Sequence, residues 1–351
     1  MDRLKNNEGE AMICELGLEN FTIFRGRHRI GFVPGLNVVI GENGSGKSHL
    51  LKLAYTLATA GTRSRFADTD LSERIADRLM AVFRPDILGH LVGWRESERP
   101  CHITVSFDQE SFSLSFTAKS RHRLSLDRVP RSLPETVPLF LPTAEVLTGY
   151  QGFLDLAERK ERAFDATYYD LAAAIDHPPT EAVDEKMSGL QRRIEGMIGG
   201  TVHREQERFY LHSPRYGKRE MTLAGEGVAK LATIARLIQN GTLRPGSLLF
   251  WDEPETNLNP KLLRQVADIL MSLALQGVQV LLSTHSLFLL REIEILSHRK
   301  SFAKLPSHYI ALGYDAKHRL TLQESDSLEK VTPLVTLDEA LSQADRYLEL
   351  E

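Results

Sequence analysis

The chain has 351 residues, 42% of them hydrophobic and 26% charged, with a formal net charge of −4. That length and balance allow a substantial core and exclude a disordered chain, and the slight acidity excludes a generally basic nucleic-acid binder. Cys14 and Cys101 lie far apart and form no disulfide framework or zinc pattern, which suits the cytoplasm, and no apolar run approaches the ~20 residues that span a membrane.

Residues 12–40 alternate and carry turn glycines at Gly26, Gly31 and Gly35, as an antiparallel β layer would. Within them Val38-Val39-Ile40 is a β-branched run expected to be a buried strand. Gly41-Glu42-Asn43-Gly44-Ser45-Gly46-Lys47-Ser48 follows, a complete Walker A loop, and a helix begins at Ser48-His49-Leu50-Leu51. Strand, loop and helix are the context this motif requires. Its glycines let the backbone approach a phosphate, and free N–H groups at a helix N-terminus attract an anion. Gly41 through His49 are therefore the candidate ATP-binding residues. Lys47 is expected at the β- and γ-phosphates and the Ser48 hydroxyl at Mg²⁺.

Further along, residues 64–84 show a helical apolar spacing through Leu71, Ile75, Leu79 and Val82. Residues 101–128 read as strands, with clean alternation in 102–107 and 111–116. The segment 119–131 holds Lys119, Arg121, His122, Arg123, Arg128 and Arg131 against the single acid Asp127. It can contact DNA phosphates, although without interleaved aromatic residues a solvated hairpin rim is the simpler reading. Pro138–Leu147 reads as a strand running into a turn, and 152–198 as helical with a break at His177-Pro178-Pro179.

Leu223 to Leu231 opens a helix, with Val228, Leu231, Ala232, Ala235 and Ile238 on one face and Asn240-Gly241 as its C-cap. Ser247–Trp251 is an apolar run ending in Asp252-Glu253-Pro254-Glu255, a complete Walker B strand. Acids at the carboxyl end of a buried strand sit in the ligand crevice of an α/β sheet. Asp252 is expected to hold Mg²⁺ and Glu253 to polarise the attacking water. Val278–Leu282 is another buried strand, ending in Ser283-Thr284-His285-Ser286, where His285 can meet a γ-phosphate. A strand pair at Ser307–Leu312 and Arg319–Gln323 and a short terminal helix complete the chain.

With these residues in place the chain resembles the ABC-type ATPases, in particular the heads of the SMC, RecF and OLD proteins. The resemblance rests on Leu18-Glu19-Asn20-Phe21, the Walker A loop, Asp252-Glu253-Pro254-Glu255, Asn257-Leu258-Asn259-Pro260 in the D-loop position and Ser283-Thr284-His285-Ser286 in the H-loop position. It implies an α/β fold: an ABC-type P-loop ATPase head with an antiparallel β lobe, an inserted helical lobe and, since no heptad array is present, no long coiled coil. It also implies a signature turn at Gly225-Glu226-Gly227 that closes on ATP held by a second copy. Here Ala224 or Gly225 stands where relatives carry a serine. The metal-linked Q-loop residue is Glu145 or Gln151.

The expected organisation over 1–351 is a nucleotide-binding core from 11–58 and 219–300, an inserted α/β lobe at 59–135, a helical lobe at 152–218 and a β/α tail at 301–351. The tail is too short for the metal-dependent nuclease domain of OLD proteins, and after Gln323 it offers Glu324 and Asp326 without an Asp-x-Asp pair. The functional expectation is an ATPase (Glu253, His285 and Lys47 catalytic; Ser48 and Asp252 on the metal) that forms a homodimer or higher homo-oligomer around ATP. It would regulate an effector, a nuclease or toxin supplied in trans, in anti-phage defence. Alternatives are a RecF-like DNA-repair ATPase and an ATP-bound scaffold with little turnover. A transporter ATPase is disfavoured, because the resemblance implies a much shorter separation between the two Walker motifs.

Overall fold

The structure, a computed structural model, describes residues 12–61, 71–93, 99–108, 110–129, 138–159 and 163–331, with 339, 342, 343 and 345–347. Along the chain β1 (Ile13–Phe21), β2 (Phe24–Gly31) and β3 (Leu36–Gly41) precede α1 (Lys47–Gly61) and α2 (Leu71–Phe83). Then come β4 (Cys101–Phe107), β5 (Ser111–Phe116), β6 (Ser125–Arg128) and β7 (Pro138–Leu141). The helices α3 (Tyr150–Glu158), α4 (Ala166–Asp176) and α5 (Glu185–Ile198) lead to β8 (Thr201–Glu205), β9 (Arg208–Ser213) and β10 (Gly217–Glu220). The rest is α6 (Glu226–Gln239), β11 (Leu248–Asp252), α7 (Pro260–Leu275), β12 (Gln279–Thr284), α8 (Leu287–Ser297), β13 (Ser307–Tyr314) and β14 (Leu320–Ser325).

The apolar runs become the central strands. Every residue of β3, β11 and β12 is buried, as expected of parallel strands covered on both faces. Side chains alternate between two cores. Leu248 and Phe250 join β1, α1 and the antiparallel sheet, whereas Leu249 and Trp251 join α6, α7 and the helical lobe. The central sheet has the order β14-β13-β3-β12-β11-β7, with only β14 antiparallel to its neighbour. A five-stranded antiparallel sheet, β2-β1-β4-β5-β6, covers α1, and β10-β9-β8 forms a separate three-stranded sheet. The fold is that of an ABC-type ATPase head.

β7 and β13 are hydrogen-bonded into the same sheet as β3, β11 and β12, so the 138–141 and 307–314 segments complete the central sheet. Of the helix read over 64–84 the structure describes Leu71–Phe83, which buries Ile75, Ala76, Leu79 and Val82, while 64–70 lie outside the described residues. The longest helix among the described residues, α7, has 16 residues and projects no coiled-coil arm. Most of the expected terminal helix and Arg131 lie outside the described residues.

Polar side chains tie the layers together. Gln279, fully buried, accepts from the Ile13 N–H and donates to the Ile13 and Val33 carbonyls, locking β1 to the central sheet. Glu324 accepts from the Gly31 N–H and pairs with His308 at 2.8 Å, so it joins β14 to β2. The helical lobe rests on α1. Asp165 caps α4 and takes the Lys52 ammonium at 2.7 Å, and Asp170 accepts from the Tyr55 hydroxyl at 2.8 Å and from Arg78 at 2.7 Å. At the His177-Pro178 break, the buried Arg236 of α6 donates to the Ile175 and His177 carbonyls.

Candidate active site

β3, β12 and β11 lie side by side, in register Thr284↔Ile40 and Asp252↔Ser283. Their carboxyl ends therefore deliver the 41–48 loop, Ser283 to His285 and Asp252 to Glu255 to one crevice. Gly46 has φ +91 and lies so close to Ile23 that a Cβ would meet its Cδ1 at 2.5 Å, so a side chain is excluded there twice over. Beyond the loop, α1 starts at Lys47.

Lys47 is 4% exposed, and its Nζ donates to the Gly41 carbonyl at 2.9 Å and the Glu42 carbonyl at 3.0 Å. Burial lowers its pKa, against the opposing pull of Glu253 and Asp252. The Ser48 hydroxyl donates to Asp252 Oδ1 at 2.9 Å, and the Ser283 hydroxyl donates to the same oxygen. In the sequence Ser283 was read only as part of the H-loop stretch and not as a partner of Asp252; its place at the end of a buried apolar run was the available signal. The backbone of Glu253 has φ +48, uncommon for a side-chain-bearing residue, and its N–H is held by the Ser283 carbonyl and hydroxyl, both at 3.2 Å. That turn aims Glu253 Oε1 to within 3.2 Å of His285 Nδ1 and 4.0 Å of Lys47 Nζ.

Ser48 and Asp252 supply hard oxygen donors side by side, a donor set that would fit a magnesium ion. Glu42, Asn43 and Gly44 are exposed at the tip of the loop, and Ser45 is buried with its N–H turned to the Glu42 carbonyl at 3.2 Å. His49 lies edge-on to Phe83, its Nδ1 buried without a partner among the described residues. Burial, reinforced by Lys52 and opposed by Asp252, lowers its pKa.

The signature segment divides in two. Gly225 is exposed as the N-cap of α6 and has no side-chain cap, which leaves the helix N-terminus open. Gly227 is buried under α7, where a Cβ would meet Leu262 Cδ1 at 2.5 Å and Leu258 Cδ2 at 2.9 Å; it allows close helix packing. Glu226 accepts from Asn257 Nδ2 at 2.8 Å, and the buried Lys230, one turn on, donates to the Thr256 carbonyl at 2.8 Å. Burial lowers the Lys230 pKa despite Glu226, Glu255, Glu145 and Glu253 around it. In the sequence Lys230 was read only as part of the 223–231 signature stretch, with no role of its own.

Neither Q-loop candidate bonds Ser48 or Asp252 among the described residues. Glu145 folds back on the turn after it, accepting from the Leu147 N–H and from the Thr148 N–H and hydroxyl, and burial raises its pKa. Gln151 donates to Asp155 of its own helix at 3.2 Å. On the β5–β6 hairpin Lys119, Arg121, His122, Arg123 and Arg128 are exposed, with His122 paired to Asp77 at 2.7 Å.

A family model described as "AAA domain, putative AbiEii toxin, Type IV TA system" matches residues 36–291, from β3 through the start of α8. No curated protein sequence matches the chain. Among solved structures it is similar to an SMC head bound to the C-terminal winged-helix domain of ScpA, with TM-score 0.57 and 14% identity over 91% of this chain and 98% of that one. It is also similar to the SMC head of Pyrococcus furiosus with an extended coiled coil, bound to the C-terminal domain of ScpA (TM-score 0.55, 13% identity, 94% and 99% covered). A third match is the SMC head of Pyrococcus yayanosii with a coiled coil and joint (TM-score 0.55, 10% identity, 95% and 100% covered). At such identities the likeness is one of fold.

Proposed function

We propose that this chain, which belongs to the AAA-domain family described as putative AbiEii toxin of type IV TA systems, binds Mg-ATP between its 41–48 loop and its 252–255 turn and hydrolyses it. The observation that carries the reading is the meeting of the Ser48 and Ser283 hydroxyls on Asp252 Oδ1, with Lys47, Glu253 and His285 close by.

In this reading Lys47 leaves the Gly41 and Glu42 carbonyls to hold the β- and γ-phosphates. Ser48 and Asp252 hold the magnesium ion, which when bound spreads the negative charge of those phosphates. Glu253 accepts a hydrogen bond from the attacking water and takes its proton, and His285 fixes the γ-phosphate end. Two copies face head to tail, and the open α6 N-terminus at Gly225 of one closes on the γ-phosphate held by the other. Hydrolysis loosens that interface. The Lys52–Asp165 and Tyr55–Asp170 contacts carry the change from α1 to the helical lobe.

The chain then acts as an ATP-gated regulator of a nuclease or toxin supplied in trans. The family's description supports a toxin-linked setting, and the ScpA domains seated on two of the similar SMC heads support a head that carries a protein partner. A Glu253→Gln protein, purified from its host with ATP and Mg²⁺, tests this. It is expected to be a dimer with an effector attached. Recombination or replication proteins in its place would move the reading to DNA repair. A monomer at saturating Mg-ATP would defeat the closing mechanism.

A further inference from the structure

Glu255 stands two residues beyond the proposed base, and its side chain serves neither the metal pair nor the loop. It is 8% exposed. Its Oε1 accepts from the Thr284 hydroxyl at 2.6 Å and from the His285 N–H at 2.9 Å, and lies 3.5 Å from His285 Nδ1. Thr284 Oγ1 in turn accepts from the Ser286 N–H at 3.0 Å, and Ser286 caps α8. One carboxylate oxygen thus grips the whole turn that leads from β12 into α8. The other, Oε2, is buried without a hydrogen-bond partner among the described residues.

Burying a carboxylate with an oxygen unmatched is costly, and such a group needs a reason. Packing alone does not supply one, since an apolar side chain would fill the space without that cost. What Glu255 does is span two turns. It is rooted in the β11–α7 turn that carries Glu253 and bonded into the β12–α8 turn that carries His285. The ring is then left with Nδ1 facing both carboxylates, at 3.2 Å from Glu253 and 3.5 Å from Glu255.

We infer that Glu255 is a positioning residue for the proposed hydrolysis: it fastens the 284–286 turn so that His285 and Glu253 meet the γ-phosphate as one unit. The inference rests on the reading of the site as an ATPase. Glu255 touches no substrate in this account and acts only through His285.

The test uses the full chain and Mg-ATP. Glu255→Ala removes the acceptor and is expected to lower kcat about 10²-fold, the scale of a misplaced reacting group, with the affinity for Mg-ATP unchanged. Glu255→Gln keeps an Oε1 acceptor and is expected to recover most of the lost rate. In a His285→Ala background Glu255→Ala should cost nothing more, because the two act as one. A loss additive with His285→Ala, or, in a parent chain that turns over ATP, a Glu255→Ala rate equal to that of the parent, overturns the inference. Amide hydrogen exchange separates this inference from the ATPase reading on which it rests. Faster exchange at His285 in Glu255→Ala, restored in Glu255→Gln, upholds the fastening even if the parent chain fails to turn over ATP. Unchanged exchange defeats it.

Discussion

The Ser48 hydroxyl donates to Asp252 Oδ1 at 2.9 Å across a sequence separation of 204 residues. That bond joins the first turn of α1 to the end of β11 and brings together the two oxygens expected to share a metal ion. Ser48→Ala removes one of them. Its affinity for ATP in excess Mg²⁺ is expected to fall about tenfold, in line with the loss of a group from a metal site, and its affinity in a chelator to stay unchanged. Titration calorimetry in the two buffers checks this; an equal loss in both would mean that Ser48 supports the loop rather than the ion.

Lys47 is the buried cation of the loop, and its Nζ donates to the Gly41 and Glu42 carbonyls. Lys47→Ala should abolish nucleotide binding. Thermal melts report it directly: Mg-ATP should raise the Tm of the parent chain by mass action and leave that of Lys47→Ala unmoved.

Asp170 joins α4 to α1 and α2 through Tyr55 and Arg78, and burial followed by Asp170 pushes the Tyr55 phenol far up. Asp170→Ala leaves a guanidinium and a hydroxyl without their acceptor. The expected cost is about 1–2 kcal/mol, reduced from the full value because Asp170 is partly solvated. Urea unfolding measures it. Tyr55→Phe, which removes only the hydroxyl, should cost less. Equal stability of all three proteins would contradict the bridge.

His49 gives the fold a sensitivity to acid. Its pKa is lowered by burial from an ordinary 6.5. The unfolded chain therefore takes up a proton at this ring before the folded chain does. The sign follows from linkage: its contribution is complete above pH 6.5 and is lost as the pH falls through and below that value. Urea midpoints at neutral pH and near pH 5.5 should differ less for His49→Gln than for the parent chain. Identical differences would show that other groups set the slope.

The parts of the site that are local in sequence were legible in it. A strand, a glycine loop and a helix had to follow one another for Lys47 and Ser48 to work, and the fold shows them as β3, a turn and α1. The run into Asp252 became a strand buried on both faces. What was hidden is non-local. Nothing around Ser307–Tyr314 announces that this strand pairs with β3, since parallel pairing depends on distant residues. The Q-loop stayed ambiguous because Glu145 and Gln151 are equally polar; the structure shows each engaged with its own neighbours. The signature glycines looked alike in sequence, yet Gly225 is open and Gly227 lies under Leu262.

The most direct test of the account is a single-turnover measurement with γ-labelled ATP, in which bound nucleotide and released phosphate are followed together in the parent chain and in Glu253→Gln. The account predicts phosphate release from the parent chain, and from Glu253→Gln retention of intact ATP with little release. Equal release from both proteins would remove Glu253 from the chemistry. No release from a parent chain saturated with Mg-ATP would make the site a binding site alone.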